Sequence, residues 1–476
     1  GLSVSPIGFG GRGIRDDDAL HRRALGMALD GGVNLIDTSS NYGDGRSETL
    51  VGIALAHAVQ QGSLRREQVV VVTKLGYLQG NDLARARARV QSFEDMVVVD
   101  EGCWHCIHPT FLREQLADSL VRLGLARIDV VLLHDPECFL AHDRVHADGA
   151  ARRGAYDDRL RRAFACLEQL ADAGAIGWYG VSSNGLSLPE HDLRYTSTQR
   201  LVELAHEVGG DGHRFGVVEL PMNLLELGAA TLQHPSEGGR TALQVAGAAD
   251  LGVLVNRPLA AMHAGAPLRL ADVEIDEHGI AEALAVVRKL EGAWADDLGR
   301  RILTDEGGDN AIDLFRWGRE LSRVWRELGD RERWRSLRHE IIAPQLGHAS
   351  AALLTHLSGD DREDFARWWQ SYGTAMHHAF TAIEAWLERP PAATVAISEA
   401  IDPLLPTPWR ELPLSRKAVL VALSAPIACV LVGMRQPGWV ADMLALREHP
   451  VRLLSAATGP VAHAELQARL SRLLAR

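Results

Sequence analysis

The chain has 476 residues, 46% of them hydrophobic and 24% charged, with a formal net charge of −12. It is too long for one average domain and ordinary in composition for a globular protein, and its acidic balance, with arginines interspersed among acids, argues against a nucleic-acid partner. No apolar run reaches the roughly 20 residues that span a bilayer as a helix; the first residues carry no signal-peptide pattern, and five cysteines without framework spacing suggest a reducing, cytoplasmic setting.

In chain order, apolar runs at 4–9, 33–37, 68–73, 128–133, 176–181, 215–219, 252–255 and 428–432 read as strands. Amphipathic patterns at 18–30, 47–60, 110–123, 157–173 and 196–207 read as helices between them. Such alternation implies βα units and a parallel sheet, and eight strands is the number that closes a barrel. The predicted fold class is therefore α/β, a (β/α)8 TIM barrel with a large helical insertion between strand 7 and strand 8. Residues 1–261 and 413–476 form the expected barrel and 262–412 the inserted helical subdomain. That stretch holds eight of the eleven tryptophans and helix-length patterns at about 279–300, 310–328, 331–357 and 361–388. Two readings stand for it: a lid or substrate wall on the strand-end face, or a packing or homo-oligomer contact module.

Four residues of the first third, Asp37, Tyr42, Lys74 and His134, each lie at or just past the end of a predicted strand. A parallel barrel gathers those ends on one face. The lysine is the most telling, because the chain has only three, Lys74, Lys289 and Lys417, among 50 basic residues. A sequence that otherwise uses arginine needs a compact ammonium where it keeps one. Beside a tyrosine, that ammonium favours the phenolate, and Asp37 would hold the lysine charged. His134 can orient a substrate oxygen or pass a proton. The four make an acid–base site for a carbonyl or alcohol, with no activated nucleophile and no evident metal. Glu48 is read as capping or positioning the helix that follows.

The segment Asp37-Thr-Ser-Ser-Asn-Tyr42-Gly-Asp-Gly-Arg-Ser47-Glu48 resembles the signature of the aldo-keto reductases. Val72-Thr-Lys74 and Leu132-Leu-His134-Asp-Pro136 fall where that family carries its catalytic lysine and histidine. Ile176–Asn184 resembles its nicotinamide-binding strand end, and Val430–Arg435 its last barrel strand. The resemblance spans about 1–260 and 413–450. It implies an NAD(P)(H)-dependent oxidoreductase that interconverts a carbonyl (aldehyde, ketone or sugar) and its alcohol by hydride transfer. Tyr42 is then the general acid or base, tuned by Lys74 and Asp37, with His134 orienting the substrate oxygen.

By the same resemblance Ser182, Ser183, Asn184, Glu219, Asn256, Arg257, Gly433 and Arg435 bind the cofactor. Glu219 stands where a glutamine is usual, and Asn256-Arg257 replaces an aromatic-containing pair, so Arg257 is expected to stack on the nicotinamide or pair with the pyrophosphate. Arg435 alone remains to meet a 2′-phosphate, and with the family's habit it favours NADP(H) over NAD(H). The competing reading is a non-catalytic or regulatory barrel that keeps its cofactor and recruits a partner through the helical insertion.

Two other motifs compete for attention. Gly8-Phe-Gly10-Gly-Arg-Gly13 has the glycine spacing of a dinucleotide-binding turn, but its helix starts too late and no separate acidic residue ends the following strand; a close-approach turn at the barrel mouth fits better. No tyrosine stands four residues before a lysine, as a short-chain dehydrogenase requires. Cys103-Trp-His105-Cys106-Ile-His108 has ligand types suited to zinc, yet no second Cys/His pair stands nearby. These residues are read as part of a substrate-pocket loop over 76–109, with no metal.

Overall fold

A computed structural model describes residues 1–146, 148–263, 266–271, 277–302, 313–328, 331–387, 392–448 and 459–474. Eight parallel strands close into a barrel. They are β1 (Ile7–Gly10), β2 (Leu35–Asp37), β3 (Val70–Leu75), β4 (Ile128–His134), β5 (Ile176–Ser182), β6 (Phe215–Pro221), β7 (Gly252–Asn256) and β8 (Cys429–Val432). Each pairs with its neighbours in sequence, and β8 closes on β1 through Ile7 opposite Val430.

Strand alternation explains what fills the barrel. Leu35, Val70, Val72, Val130, Leu132, Leu254, Cys429 and Leu431 form one buried cluster. The alternate residues Ile36, Val71, Val131, Leu133, Val253 and Val430 belong to the larger core that includes the surrounding helices. Successive side chains of a strand point to opposite faces, so two residues beyond each inner apolar side chain comes another inner position. Those positions are Asp37, Lys74, His134, Asn256 and Gly433, joined by Ser182 and Glu219 two residues beyond Gly180 and Val217. The barrel thus ends in a polar layer at the carboxyl ends of its strands, over apolar layers beneath.

The helices follow the sequence pattern with one change. Asp18 caps Ala19–Asp30 by accepting from the backbone N–H groups of Leu20 and His21. The helix predicted to start at 157 instead begins at Gly149, where Asp148 accepts from the N–H groups of Ala150 and Ala151. Glu48 does not cap its helix, whose N-cap is Gly45. It is buried and accepts from Thr73 Oγ1 at 2.5 Å and Arg122 Nε at 2.6 Å, tying its helix to β3 and to the helix Pro109–Leu123. Within the predicted loop 76–109 the strands Tyr77–Leu78, Cys103–His105 and Val97–Asp100 form a small antiparallel sheet.

The chain divides into two compact units, one of residues 1–271 and 392–476, the other of 272–391. These boundaries differ from the predicted 261/262 and 412/413. A hairpin of Ala260–His263 and Ala266–Arg269 follows β7. Its Leu268, together with Leu270 and, later, Ile397, Ile401, Leu405 and Trp409, packs in the barrel's own core, so the apolar side chains that flank the insertion were assigned to the wrong unit.

The second unit has helices at Glu277–Ala293, Trp317–Val324, Ala343–His356 and Gly359–Leu387, with shorter turns between them. Residues 310–312 and 388 of the predicted helices lie outside the described residues. Its core gathers Trp294, Phe315, Phe365, Trp368 and Tyr372, the last two stacked with ring centroids 5.0 Å apart. Each such aromatic buries a large apolar area. Buried Glu291 accepts from the N–H groups of Gly318 and Arg319 and from Tyr372 Oη, at 2.5, 3.1 and 3.1 Å.

Candidate active site

The polar layer is built around Lys74, which is fully buried. Its ammonium donates to Asp37 Oδ1, to the carbonyl of Thr38 at 3.3 Å and to Tyr42 Oη at 3.5 Å. Asp37 is set by the glycine turn after β1: the N–H of Gly11 donates to the carbonyl of Asp37 at 2.7 Å, and a Cβ on Gly11 would sit 2.6 Å from that oxygen. The glycine-rich segment is thus a close-approach turn at the barrel mouth, and its next helix starts only at Ala19. Ser40 ties the Tyr42 loop to β3, its N–H and hydroxyl both donating to the carbonyl of Lys74 at 3.2 and 3.1 Å. Tyr42 is half-buried, and its ring meets His134 edge-on with centroids 6.0 Å apart.

His134 is held from two sides. His105 Nε2–H donates to its backbone carbonyl at 2.7 Å, and Tyr77 packs edge-on to both rings, at 5.3 Å from His105 and 4.9 Å from His134. Its Nδ1 lies 3.2 Å from Ser39 Oγ, whose own proton goes to Asn41 Oδ1 at 2.7 Å. On that hydrogen-bond assignment Nδ1 carries the proton and Nε2 a lone pair. Burial, reinforced by Lys74, lowers the pKa of His134 well below its ordinary value, so the ring is neutral.

Charge in this layer differs from the simple picture of an amine acidifying a phenol. Burial raises the pKa of Tyr42 above its ordinary value, and the pull of Lys74 in the other direction is too weak to reverse it. Lys74 does not work alone on the phenol, because Asp37 and Glu219 both push the pKa up. Tyr42 therefore rests protonated. For Lys74 itself burial disfavours the charge, but the carboxylates of Asp37 and Glu219 outweigh it and keep the ammonium. Burial and then Glu219 raise Asp37 well above the usual carboxylate range, against the pull of Lys74.

The remaining candidate residues fall into three groups. Ser182, Glu219 and Asn256 form one hydrogen-bonded unit, with Ser182 Oγ donating to Glu219 Oε1 at 3.1 Å and Asn256 Nδ2 donating to the same oxygen at 2.7 Å. Glu219 Oε2 lies 3.3 Å from Lys74 Nζ. Ser183 and Asn184 serve the next turn: Ser183 Oγ accepts from Gly185 N–H at 3.0 Å, and Asn184 Nδ2 donates to Asp135 Oδ1 at 2.9 Å. Arg257, in the left-handed region at φ 54°, pairs with Glu226 at 3.2 Å. Gly433 and Arg435 stand exposed after β8, with the Arg435 guanidinium 5.7 Å from the ring of Trp439.

Several neighbours escaped the sequence reading. Arg269, assigned there to the insertion, lies 5.4 Å from the same Trp439 ring. Arg12 of the glycine turn is close enough to lower the pKa of both Tyr42 and His134. Asp135 adopts φ 45° and accepts from Tyr77 Oη at 2.9 Å. Its place directly after His134 was the available signal. Of the Cys/His cluster, His105 supports His134, and buried Cys106 lies 3.3 Å from the carbonyl of Glu94. His108 caps the helix Pro109–Leu123, accepting from Thr110 N–H at 3.4 Å.

The arrangement is that of a (β/α)8 barrel with a buried amine, imidazole and carboxyl groups and a half-buried phenol at its strand ends. Residues 6–191 match the profile of the Aldo/keto reductase family. A D-threo-aldose 1-dehydrogenase from a Pseudomonas species is 31% identical over 192 residues, covering 38% of this chain and 51% of that protein. An NADH-specific methylglyoxal reductase from Escherichia coli is 39% identical over 103 residues, covering 22% of this chain and 27% of that protein. The chain thus spans about half the length of the first relative and less of the second. An aldo-keto reductase from Bacillus halodurans, solved in its holo form, overlays with a TM-score of 0.45 at 17% identity, covering 99% of this chain and 93% of that one. The matched segment, residues 6–191, is thus similar to the aldo-keto reductases.

Proposed function

We propose that the chain is an NAD(P)(H)-dependent oxidoreductase that interconverts a small carbonyl compound and its alcohol, with Tyr42, Lys74, Asp37 and His134 as its acid–base residues. The observation that supports it most is the Tyr42 hydroxyl 3.5 Å from a buried ammonium, on the strand-end face of the barrel. In the reducing direction Tyr42 donates its phenolic proton to the carbonyl oxygen, and Lys74 stabilises the phenolate left behind. In the oxidising direction the phenolate takes the hydroxyl proton. Asp37 holds the amine in place, and neutral His134 orients the substrate oxygen.

A bound nicotinamide supplies the hydride donor or acceptor. The donors and acceptors suit such a group: Asn256 Oδ1 is buried without a hydrogen-bond partner and can take an amide N–H, and a Cβ at Gly433 would meet nothing within 4 Å. Ser182, Glu219 and Asn256 are assigned to the nicotinamide side, with Ser183 and Asn184 beside them. Arg257 is assigned to the pyrophosphate, provided it leaves Glu226. Arg435, with Arg269 on the same tryptophan, supports NADP(H) over NAD(H).

The test is turnover of both cofactors against a panel of aldehydes, ketones, sugars and their alcohols, with Tyr42→Phe as the control. The variant is expected to lose on the order of 10³-fold in kcat while binding cofactor like the wild type, within the range for general acid–base catalysis. Near-full turnover by the variant would remove Tyr42 from the mechanism. Tighter binding of NAD(H) than of NADP(H) would reverse the cofactor assignment.

A further inference from the structure

Charge counting at the Lys74 centre leads beyond the proposed reaction. One ammonium is shared by two carboxyl groups that are 4% and 1% exposed, Asp37 and Glu219. They come from β2 and β6, which stand opposite each other in the ring of eight strands. Tyr42 and His134 are neutral, and the other partners of Glu219, Ser182 and Asn256, carry no charge. Counted over Lys74 and its two carboxyls alone, both ionised, the centre holds one buried negative charge more than it neutralises, with Arg12 the next cation and Asp135 the next acid; that is an expensive state unless a cation or a proton joins it. Glu219 Oε2 accepts no hydrogen bond, although it lies 3.3 Å from Nζ.

We infer that Glu219 supplies the counter-charge for an oxidised, positively charged nicotinamide ring, so that this site binds the oxidised cofactor in preference to the reduced one. The inference rests on the cofactor reading above and adds a direction to it. Glu219 bridges the catalytic amine and the Ser182–Asn256 unit assigned to the ring, so its charge is felt on both sides. An uncharged side chain of the same shape would make the hydrogen bonds of Glu219 and lose that preference. A cationic ring also lowers the pKa of Tyr42 in the same sense as Lys74, favouring the phenolate that alcohol oxidation needs. The alternative is that a proton resides on Asp37, whose pKa is raised; the layer is then neutral without a cation and Glu219 discriminates nothing.

Two unit charges within about 10 Å at an effective dielectric of about 20 interact by more than tenfold in a binding constant. The experiment is isothermal titration of the full chain with NADP+, NADPH, NAD+ and NADH, for the wild type, Glu219→Gln and Glu219→Asp. Glu219→Gln is expected to raise the ratio of the oxidised to the reduced Kd by about tenfold, and Glu219→Asp to leave it within about threefold. An unchanged ratio in Glu219→Gln overturns the inference while leaving the oxidoreductase reading intact. Failure of every dinucleotide to bind the wild type overturns both. Should Glu219→Gln not fold, the wild type decides: tighter binding of the oxidised form supports the inference, and tighter binding of the reduced form overturns it.

Discussion

Both units of the molecule bury a glutamate almost completely, and they treat it differently. In the helical unit Glu291 accepts from two backbone N–H groups and a tyrosine hydroxyl, so its charge is spread over donors that ask for nothing further. In the barrel Glu219 shares one ammonium with Asp37 and keeps an oxygen that accepts no hydrogen bond. A buried charge that is fully satisfied holds a structure together; one left partly unsatisfied costs stability and is kept where chemistry uses it. Burial raises the pKa of Glu291 and its three donors pull it back, whereas burial and Glu219 together raise that of Asp37 well above the usual range.

The sharpest way to break this contrast is to remove the amine. Lys74→Met leaves two buried carboxyls without a counter-charge, and loss of one partner of a buried ion pair typically costs about 3–5 kcal/mol. Adding Glu219→Gln to Lys74→Met is expected to recover part of that loss without restoring turnover. Urea denaturation of the single and double variants measures both. If the single variant is as stable as the wild type, the amine does not carry the charge balance described above.

Glu137 offers an intermediate case, and it responds to pH. It is buried beyond the end of β4, with one oxygen accepting from Gly185 N–H at 3.1 Å and the other without a partner. Burial, followed by the nearby Asp135, pushes its pKa up to about 8. A carboxyl whose folded pKa is raised contributes stability that is complete below its unfolded value near 4.5 and is lost as pH rises through about 8. Glu137→Gln should therefore gain stability on the wild type progressively between pH 5 and 9, by roughly a few kcal/mol at the upper end. Parallel pH profiles for the two proteins would mean that Glu137 is already solvated.

Much of the barrel could be read from the chain because its cause is local. Alternating apolar residues fix which face of a strand is inward, and Asp37, Lys74, His134 and Asn256 each fall two residues past an inner apolar side chain. The start of the helix at Gly149 was missed because its cap, Asp148, precedes a run of alanines and arginines with little apolar signal. The unit boundaries were missed because Leu268, Ile397 and Trp409 look alike whichever core they enter. The meeting of Asp37 and Glu219 on one amine was out of reach for another reason. It depends on ring closure, which carries side chains of opposite strands to a common point, and no spacing within either strand encodes it.

The smallest expected effect completes the comparison from the satisfied side. Glu291→Ala removes the acceptor for Gly318 N–H, Arg319 N–H and Tyr372 Oη, at the start of the helix Trp317–Val324. Buried donors left unpaired cost about 1–3 kcal/mol each where water cannot reach them, but a cavity the size of this side chain admits water, so a net loss near 2 kcal/mol is expected. Glu291→Gln keeps an acceptor oxygen for the Gly318 N–H and is expected to lose about half as much. Because Trp294, Trp325, Trp334 and Trp368 lie in the core of this unit, the loss is read from tryptophan fluorescence during urea unfolding. Cofactor titration of both variants should match the wild type, since this glutamate belongs to a core with no residue of the candidate site in it. A change in cofactor affinity comparable to that of Glu219→Gln would show that the two buried glutamates are energetically linked, and the division between a structural and a chemical carboxylate would fail.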